Sequence, residues 1–196
     1  MTHDPEATRA SLIRAAEECF ARDGIDGASA REILRLAGQA NDSAINYHFG
    51  SRWGLLEAIV AKHVAEMDSV RDVSPGTLEE LVRAWVTPAV DQLHTASGRD
   101  FLRIVNQVTD RSGARDRALP EAIRGPRLTE QLALVEAELG ALAEPLRIER
   151  LWSCWLLTAA SLAHRASSLE AAEDVQLDHQ EYVENLIDMV TAVLRA

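Results

Sequence analysis

The sequence predicts an all-α chain, with a three-helix N-terminal domain built as a helix-turn-helix and a larger helical domain after it. Three observations predict it. Apolar residues recur at helical spacing through nearly all of the 196 residues, and no segment shows the strict alternation of a half-buried strand. Helix-opening residues alternate with glycine stops at Gly24, Gly38 and Gly50. Between the last two stops lies a short polar segment, Gln39 to Phe49, with the size and chemistry that the second helix of such a pair offers to a DNA groove.

Each element has a local cause. The first helix opens with Asp4 as N-cap and Pro5 behind it, carries Leu12, Ile13, Ala16, Cys19 and Phe20 on one stripe, and stops at Gly24. Ser29 caps the second, with Glu32 placed to complete a capping box, and Gly38 ends it. The third is expected from about Asn41 to Phe49, with Ile45 and Phe49 inward. All three are too short to stand alone and must pack together. Ser51 caps a fourth helix reaching about Val70, with a stripe of Leu55, Leu56, Ile59, Val60, His63, Val64 and Met67, before a loop at 72–76. Further helices are expected at 77–96, 99–111, 120–142 with an interruption at Gly125-Pro126, 145–168 and 178–195. The segment from Arg111 to Arg117 reads as a solvated charged loop. The domains are expected at 1–52 and 53–196, joined by the fourth helix.

Composition narrows the function. No run approaches the ~18–20 apolar residues of a membrane span, and the first residues have neither a basic nor an apolar signal region, so a cytoplasmic chain without a membrane partner is expected. Cys19 and Cys154 sit in apolar helical contexts and read as buried thiols. The six histidines show no metal-ligand spacing, and there is no phosphate loop or nucleophile elbow, so neither a metal, a cofactor nor an enzyme is expected. The net charge of −11 opposes general nucleic-acid affinity. Even within the first 52 residues, Asp4, Glu6, Glu17, Glu18, Asp23, Asp26, Glu32 and Asp42 outnumber Arg9, Arg14, Arg22, Arg31, Arg35 and Arg52. A DNA reader of this composition must cluster its arginines on one face and act as one of a pair.

The third helix carries the chemistry. Side chains that enter a groove about 12 Å wide must be short and must hydrogen-bond base edges. Gln39, Asn41, Asp42, Ser43 and Asn46 meet that requirement, and Ala44 adds a methyl for thymine. Tyr47 and His48 offer a hydroxyl and a ring N–H to phosphates, Arg52 a cation to the backbone, and Arg31 a reach toward guanine from the side.

Residues 8–60 resemble the DNA-binding domain of the TetR family of bacterial transcriptional regulators. The resemblance rests on Ala15-Ala16 with Phe20 and Gly24, on Ser29-Ala30-Arg31-Glu32-Ile33, on Ala37-Gly38, and on Ile45-Asn46-Tyr47-His48-Phe49-Gly50-Ser51-Arg52 with Leu55-Leu56. It implies phosphate contacts from Tyr47, His48 and Arg52, with Ser29 as a further backbone anchor. The stretch from Gly38 to Phe49 is one residue longer than the common pattern, which leaves the register before Ser43 open. Arg52 stands where lysine is usual, keeping the charge with a different geometry.

The last two expected helices read as an oligomerisation pair through Leu151, Trp155, Ala159, Leu162, Val183, Leu186, Val190 and Val193. The resemblance implies a two-fold homodimer built as a four-helix bundle, and a pair of recognition helices about 34–36 Å apart is what successive major grooves require. It also implies an effector pocket. Pro88 interrupts an apolar helix, and Trp85, Phe101, Trp152 and Trp155, with Asn106 and His164 as polar contacts, are its candidate lining. The scarcity of cations on these stripes favours a neutral or hydrophobic ligand. The expectation is therefore a ligand-responsive regulator, a repressor released from a pseudo-palindromic double-stranded operator by a small molecule. The competing reading is an all-helical ligand-binding or enzymatic dimer whose first helices do not read DNA.

Overall fold

The computed structural model describes residues 4–116 and 121–196, with side chains described outside 110–121. Its helices are α1 (Pro5–Asp23), α2 (Ala30–Leu36), α3 (Ala44–Phe49), α4 (Arg52–Val70), α5 (Leu78–Asp91), α6 (Ala96–Asp116), α7 (Pro126–Glu138), α8 (Glu144–Glu170) and α9 (His179–Arg195). Short 3-10 turns at Gln92–His94 and Glu121–Ile123 precede α6 and α7, and there is no strand among the described residues.

The opening signals act as their chemistry requires. Asp4 accepts the Glu6 N–H at 3.0 Å ahead of Pro5, and Ser51 accepts the Gly54 N–H at 2.9 Å. Gly24, Gly38 and Gly50 all lie at positive φ, which ends each helix without the steric cost a side chain would carry. Two capping boxes absent from the sequence reading, Thr77 with Glu80 and Asp178 with Glu181, open α5 and α9.

Several boundaries differ from expectation. The box at Ser29 is only half made, because Ser29 accepts the Glu32 N–H while the Glu32 carboxylate turns forward to grip Arg35 at 2.8 and 2.6 Å. The bidentate ion pair outcompetes a single bond to backbone. α6 begins earlier than expected and stays helical through Asp116, so most of the expected loop at 111–117 is helix; its side chains and Arg117 lie outside the described residues. Gly125-Pro126 is a true helix start, with Pro126 in the first turn, where its missing N–H costs nothing. Pro88 is contained within α5, which continues to Asp91.

The apolar interior is continuous. Leu12, Phe20, Ile33, Ile45, Leu55 and Ile59 bind α1–α3 onto α4, and the same cluster runs on through Val82, Ile104, Val135 and Ile187. Cys19 and Cys154 are both free and buried, and burial pushes the Cys154 thiol up to about 12. No helix among the described residues is long and apolar enough to cross a membrane.

The first three helices are joined to the rest by α6 as well as by α4. The Gln107 amide of α6 closes the end of α1, donating to the Phe20 carbonyl at 3.1 Å and accepting the Ile25 N–H at 2.8 Å. One turn earlier in α1, Glu17 is 1% exposed and His63 of α4 2% exposed. Glu17 receives His63 Nε2 at 3.0 Å, Lys62 Nζ at 3.1 Å and the Ser97 hydroxyl of α6 at 2.7 Å. The other His63 nitrogen faces Gln92 at 2.8 Å, with Glu66 3.6 Å away, and the ring stacks on Phe101 at 4.4 Å.

Burial alone would raise the Glu17 carboxyl, but the hydrogen bonds from His63 and Ser97 and the charge of Lys62 hold it below its ordinary value. A depressed carboxylate supplies stability that is full above the unfolded-state value and lost as pH falls through the lowered one. Urea unfolding measured across an acid pH series should therefore show stability declining below the ordinary carboxylate range. Glu17→Gln should flatten that decline and cost about 1–3 kcal/mol at neutral pH.

Candidate nucleic-acid interface and ligand cleft

The turn between α2 and α3 is built by Gly38 and Asn41. Gly38 takes φ 65, and the Asn41 side-chain oxygen accepts the Ser43 N–H at 2.9 Å while its carbonyl accepts the Ala44 N–H at 3.0 Å. α3 therefore starts at Ala44, three residues later than expected, because Asn41 commits its acceptors to the turn. Gly50 at φ 73 ends α3, and α4 starts at once. A side-chain carbon on Gly54 would stand 2.1 Å from the Phe49 carbonyl oxygen, so the absence of one lets the end of α3 lie against α4.

This geometry sorts the candidate readers. Ala44 and Ile45 face the core, which removes Ala44 from the expected contact set. Ser43, Asn46 and Tyr47, at i, i+3 and i+4, share the outward face, and Tyr47 is 81% exposed. Gln39 is half-buried and donates to the Ala37 carbonyl at 3.3 Å. Gln39, Asn41, Tyr47 and His48 line one concavity of about 270 Å³ together with Pro5 and Thr8 of α1. His48 is half-buried, its ring edge-on to Tyr47 at 5.0 Å. Ser29 is occupied as a cap.

The charges sort as well. Glu18 and Asp23 are held by Arg22, and Glu32 by Arg35, so these acids are partly compensated within α1 and α2. Arg9, Arg31 and Arg52 form no ion pair among the described residues. Arg9 lies over the Phe49 ring at 5.0 Å, beside α3, a position that sequence reasoning missed because nothing in α1 marks it. Arg52 lies over Phe20 at 5.3 Å, with its Nε and Nη2 buried and without hydrogen-bond partners. It is thus anchored on the core through Nε and Nη2, and Nη1 is the nitrogen left to reach outward.

A second feature lies among α5, α7 and α8. A cleft of about 350 Å³ is walled by Trp85, Leu132, Leu151, Trp152 and Trp155, with Arg124 and Glu136 among its lining. Trp85 and Trp155 are nearly parallel, with ring centroids 6.4 Å apart, and Trp155 Nε1 donates to the Thr109 hydroxyl at 3.1 Å. Phe101 lines a separate inner space of about 40 Å³. Asn106 and His164 line neither: Asn106 is half-buried on α6, and His164 is exposed on α8 beside the α8–α9 connection.

The expected dimer residues divide in the same way. Leu162, Leu186 and Val190 are 2%, 0% and 0% exposed within the chain's own core, leaving no surface for a partner. Trp155 and Ala159 are also buried, and Leu151 belongs to the cleft. Of the expected set only Val183 and Val193 keep partly open surface on α9. The outward face of α8 is instead Leu156, Leu157, Ala160 and His164. The apolar all-round composition of α8 hid which stripe faces out. Among the described residues no cluster of three or more His, Cys, Asp or Glu is arranged to hold a metal.

Known proteins resemble this arrangement. A family model described as bacterial regulatory proteins, tetR family, matches residues 12–59. The HTH-type transcriptional regulator SrpR of Pseudomonas putida is 31% identical over 113 residues, covering 56% of this chain and 51% of SrpR. The uncharacterized HTH-type transcriptional regulator TtgW, also of Pseudomonas putida, is 30% identical over 113 residues, covering 56% of this chain and 81% of that protein. The match thus spans about half the length of SrpR. Salmonella enterica GusR superposes with a TM-score of 0.53 at 18% identity, covering 100% of this chain and 99% of GusR. A transcriptional regulator from Rhodococcus sp. Rha1 gives 0.52 at 19% identity, covering 98% and 96%. At such identities the likeness is one of fold.

Gly54→Ala should push the end of α3 off α4. Overpacking of this kind costs about 1–3 kcal/mol, readable as a lowered thermal unfolding midpoint.

Proposed function

The chain belongs to the tetR family of bacterial regulatory proteins, and from that premise we propose that it is a dimeric, DNA-binding transcriptional repressor released from its operator by a small molecule. The observation that carries the reading is the outward face of α3. Ser43, Asn46 and Tyr47 stand free on one side of a helix whose other side is packed, with Arg9, Arg31 and Arg52 in no ion pair among the described residues. Ser43 and Asn46 read base edges, Tyr47 and Arg52 hold phosphates, and residues 1–52 form the reading head. Ion pairs within α1 and α2 support this by holding Glu18, Asp23 and Glu32 on Arg22 and Arg35, which softens the local field of these acids.

The reading needs two heads. A single short helix with few phosphate contacts binds DNA weakly, and two joined heads multiply the affinity. Leu156, Leu157 and Ala160 of α8 with Met189 and Val193 of α9 present the apolar surface for a second copy. Residues 53–196 then supply both the dimer contact and the Trp-lined effector cleft. An effector releases DNA only if it binds the free form better than the DNA-bound one.

Selection from a random double-stranded pool should enrich a pseudo-palindrome. On that DNA, Tyr47→Phe and Arg52→Ala should each weaken binding about tenfold and lower the slope of log K against log salt, by about one for Arg52→Ala. Wild-type binding by both variants across the titration would overturn the assigned surface. Separately, Leu156→Glu should convert the dimer to a folded monomer in light scattering, with helical content retained.

A further inference from the structure

The Trp-lined cleft and the end of α4 are tied together by one buried polar cluster. Arg71, which directly follows α4, donates to the Trp85 carbonyl of α5 at 3.2 Å and to the Gln131 side-chain oxygen of α7 at 2.7 Å. Gln131 donates in turn to the carbonyls of Asp72 and Leu81 at 3.2 and 3.3 Å. Asp68, in the last turn of α4, accepts the first N–H groups of α7, Arg127 at 3.0 Å and Leu128 at 3.3 Å, and meets Arg71 Nε at 3.4 Å. Gly125 makes the approach possible, since a side-chain carbon there would stand 2.1 Å from the Asp68 carboxylate. Both walls of the cleft, α5 through Trp85 and α7 through Gln131 and its N-terminus, are thereby fastened to the helix that begins at Arg52.

The cleft itself selects a kind of ligand. Most of its polar groups are already engaged: Trp155 Nε1 on Thr109, the Thr129 hydroxyl on the Gly125 carbonyl, Glu136 on Arg147, and Arg124 in an interaction of its own, which leaves the indole N–H groups of Trp85 and Trp152. What remains is indole and aliphatic surface, with two indoles nearly parallel. A ligand that needs hydrogen bonds finds few on offer, whereas a flat apolar ring finds stacking partners. Behind the two indoles lies the inner space of about 40 Å³, bordered by Met67 and Arg71, into which a displaced ring can move toward α4.

We propose that the cleft takes a neutral planar aromatic molecule, and that the Asp68–Arg71–Gln131 cluster carries its arrival to α4. The proposal rests on the DNA-binding reading for its second half only. A ring wedged between α5 and α7 separates two walls that share the same buried acceptors and donors. Because every partner in such a cluster is mutually satisfied, it shifts as a unit, not gradually. α4 is drawn with it, and the reading head moves.

The test uses the full-length protein, naphthalene as probe, and the DNA enriched from the random pool. Naphthalene should quench tryptophan emission saturably, Trp152→Ala should weaken that binding at least tenfold, and saturating naphthalene should lower the wild type's DNA affinity at least fivefold. Gln131→Met should keep naphthalene and DNA binding within about twofold while the fivefold effect falls toward one. Asp68→Asn, which keeps one of the two acceptor oxygens for the α7 N–H groups and loses the charge facing Arg71, should do the same and serves if Gln131→Met does not fold. Absence of saturable quenching in the wild type overturns the ligand class. Undiminished release of DNA in a folded variant, or naphthalene binding that leaves wild-type DNA affinity unchanged, overturns the cluster's role. A pool that enriches nothing overturns the DNA reading and the coupling with it, while quenching, measured without DNA, decides the ligand class alone.

Discussion

A carboxylate buried between three helices must be hydrogen-bonded on every side or it unfolds what surrounds it. Glu17 meets that demand only when α1, α4 and α6 are all in place, since its partners come from α4 and α6. The consequence is a head that is not a bead on a string. α1 is gripped at its middle by Glu17 and at its end by Gln107, and the apolar core continues across the same boundary. A displacement within the larger part of the chain therefore has two packed routes to the first three helices, one along α4 and one across α6.

α3 is stable only by association. Six residues form barely more than one turn, too few to stay helical alone. α3 is held by Ile45 in the core, by the Asn41 turn before it, and by the bare Gly54 backbone behind it. The electrostatics follow the same economy. Arg22 and Arg35 are occupied by neighbouring acids, which leaves the guanidinium groups near α3 as the positive field of an otherwise acidic protein.

Much of this was legible in the sequence because its causes are local. Asp4-Pro5, Ser51 and the glycines at 24, 38 and 50 set helix ends through bonds to near neighbours, and those ends stand where expected. The tryptophan cleft was legible in part, since Trp85, Trp152 and Trp155 meet, but Asn106 and His164 fall outside it. Helical spacing tells which residues share a stripe, not which of two stripes on an apolar helix is inward. For that reason Leu162, Leu186 and Val190 were assigned to a partner when they fill the chain's own core. The Asp68–Arg71–Gln131 cluster was invisible for a related reason. Gln131 stands sixty residues beyond Arg71, and each member alone reads as a surface polar residue.

The turn that Asn41 builds also bears on how such a protein changes its target over generations. Gln39 and Asn41 are structural members of the turn, so replacing them alters where α3 begins. Ser43 and Asn46 have exposed side chains, and those side chains make no hydrogen bond within the chain among the described residues. Substitutions at those two positions are therefore nearly free of a folding penalty. The scaffold thus separates the residues that hold the helix from those that can drift, and under the proposed reading new operator preferences are accessible by single steps that leave the fold intact.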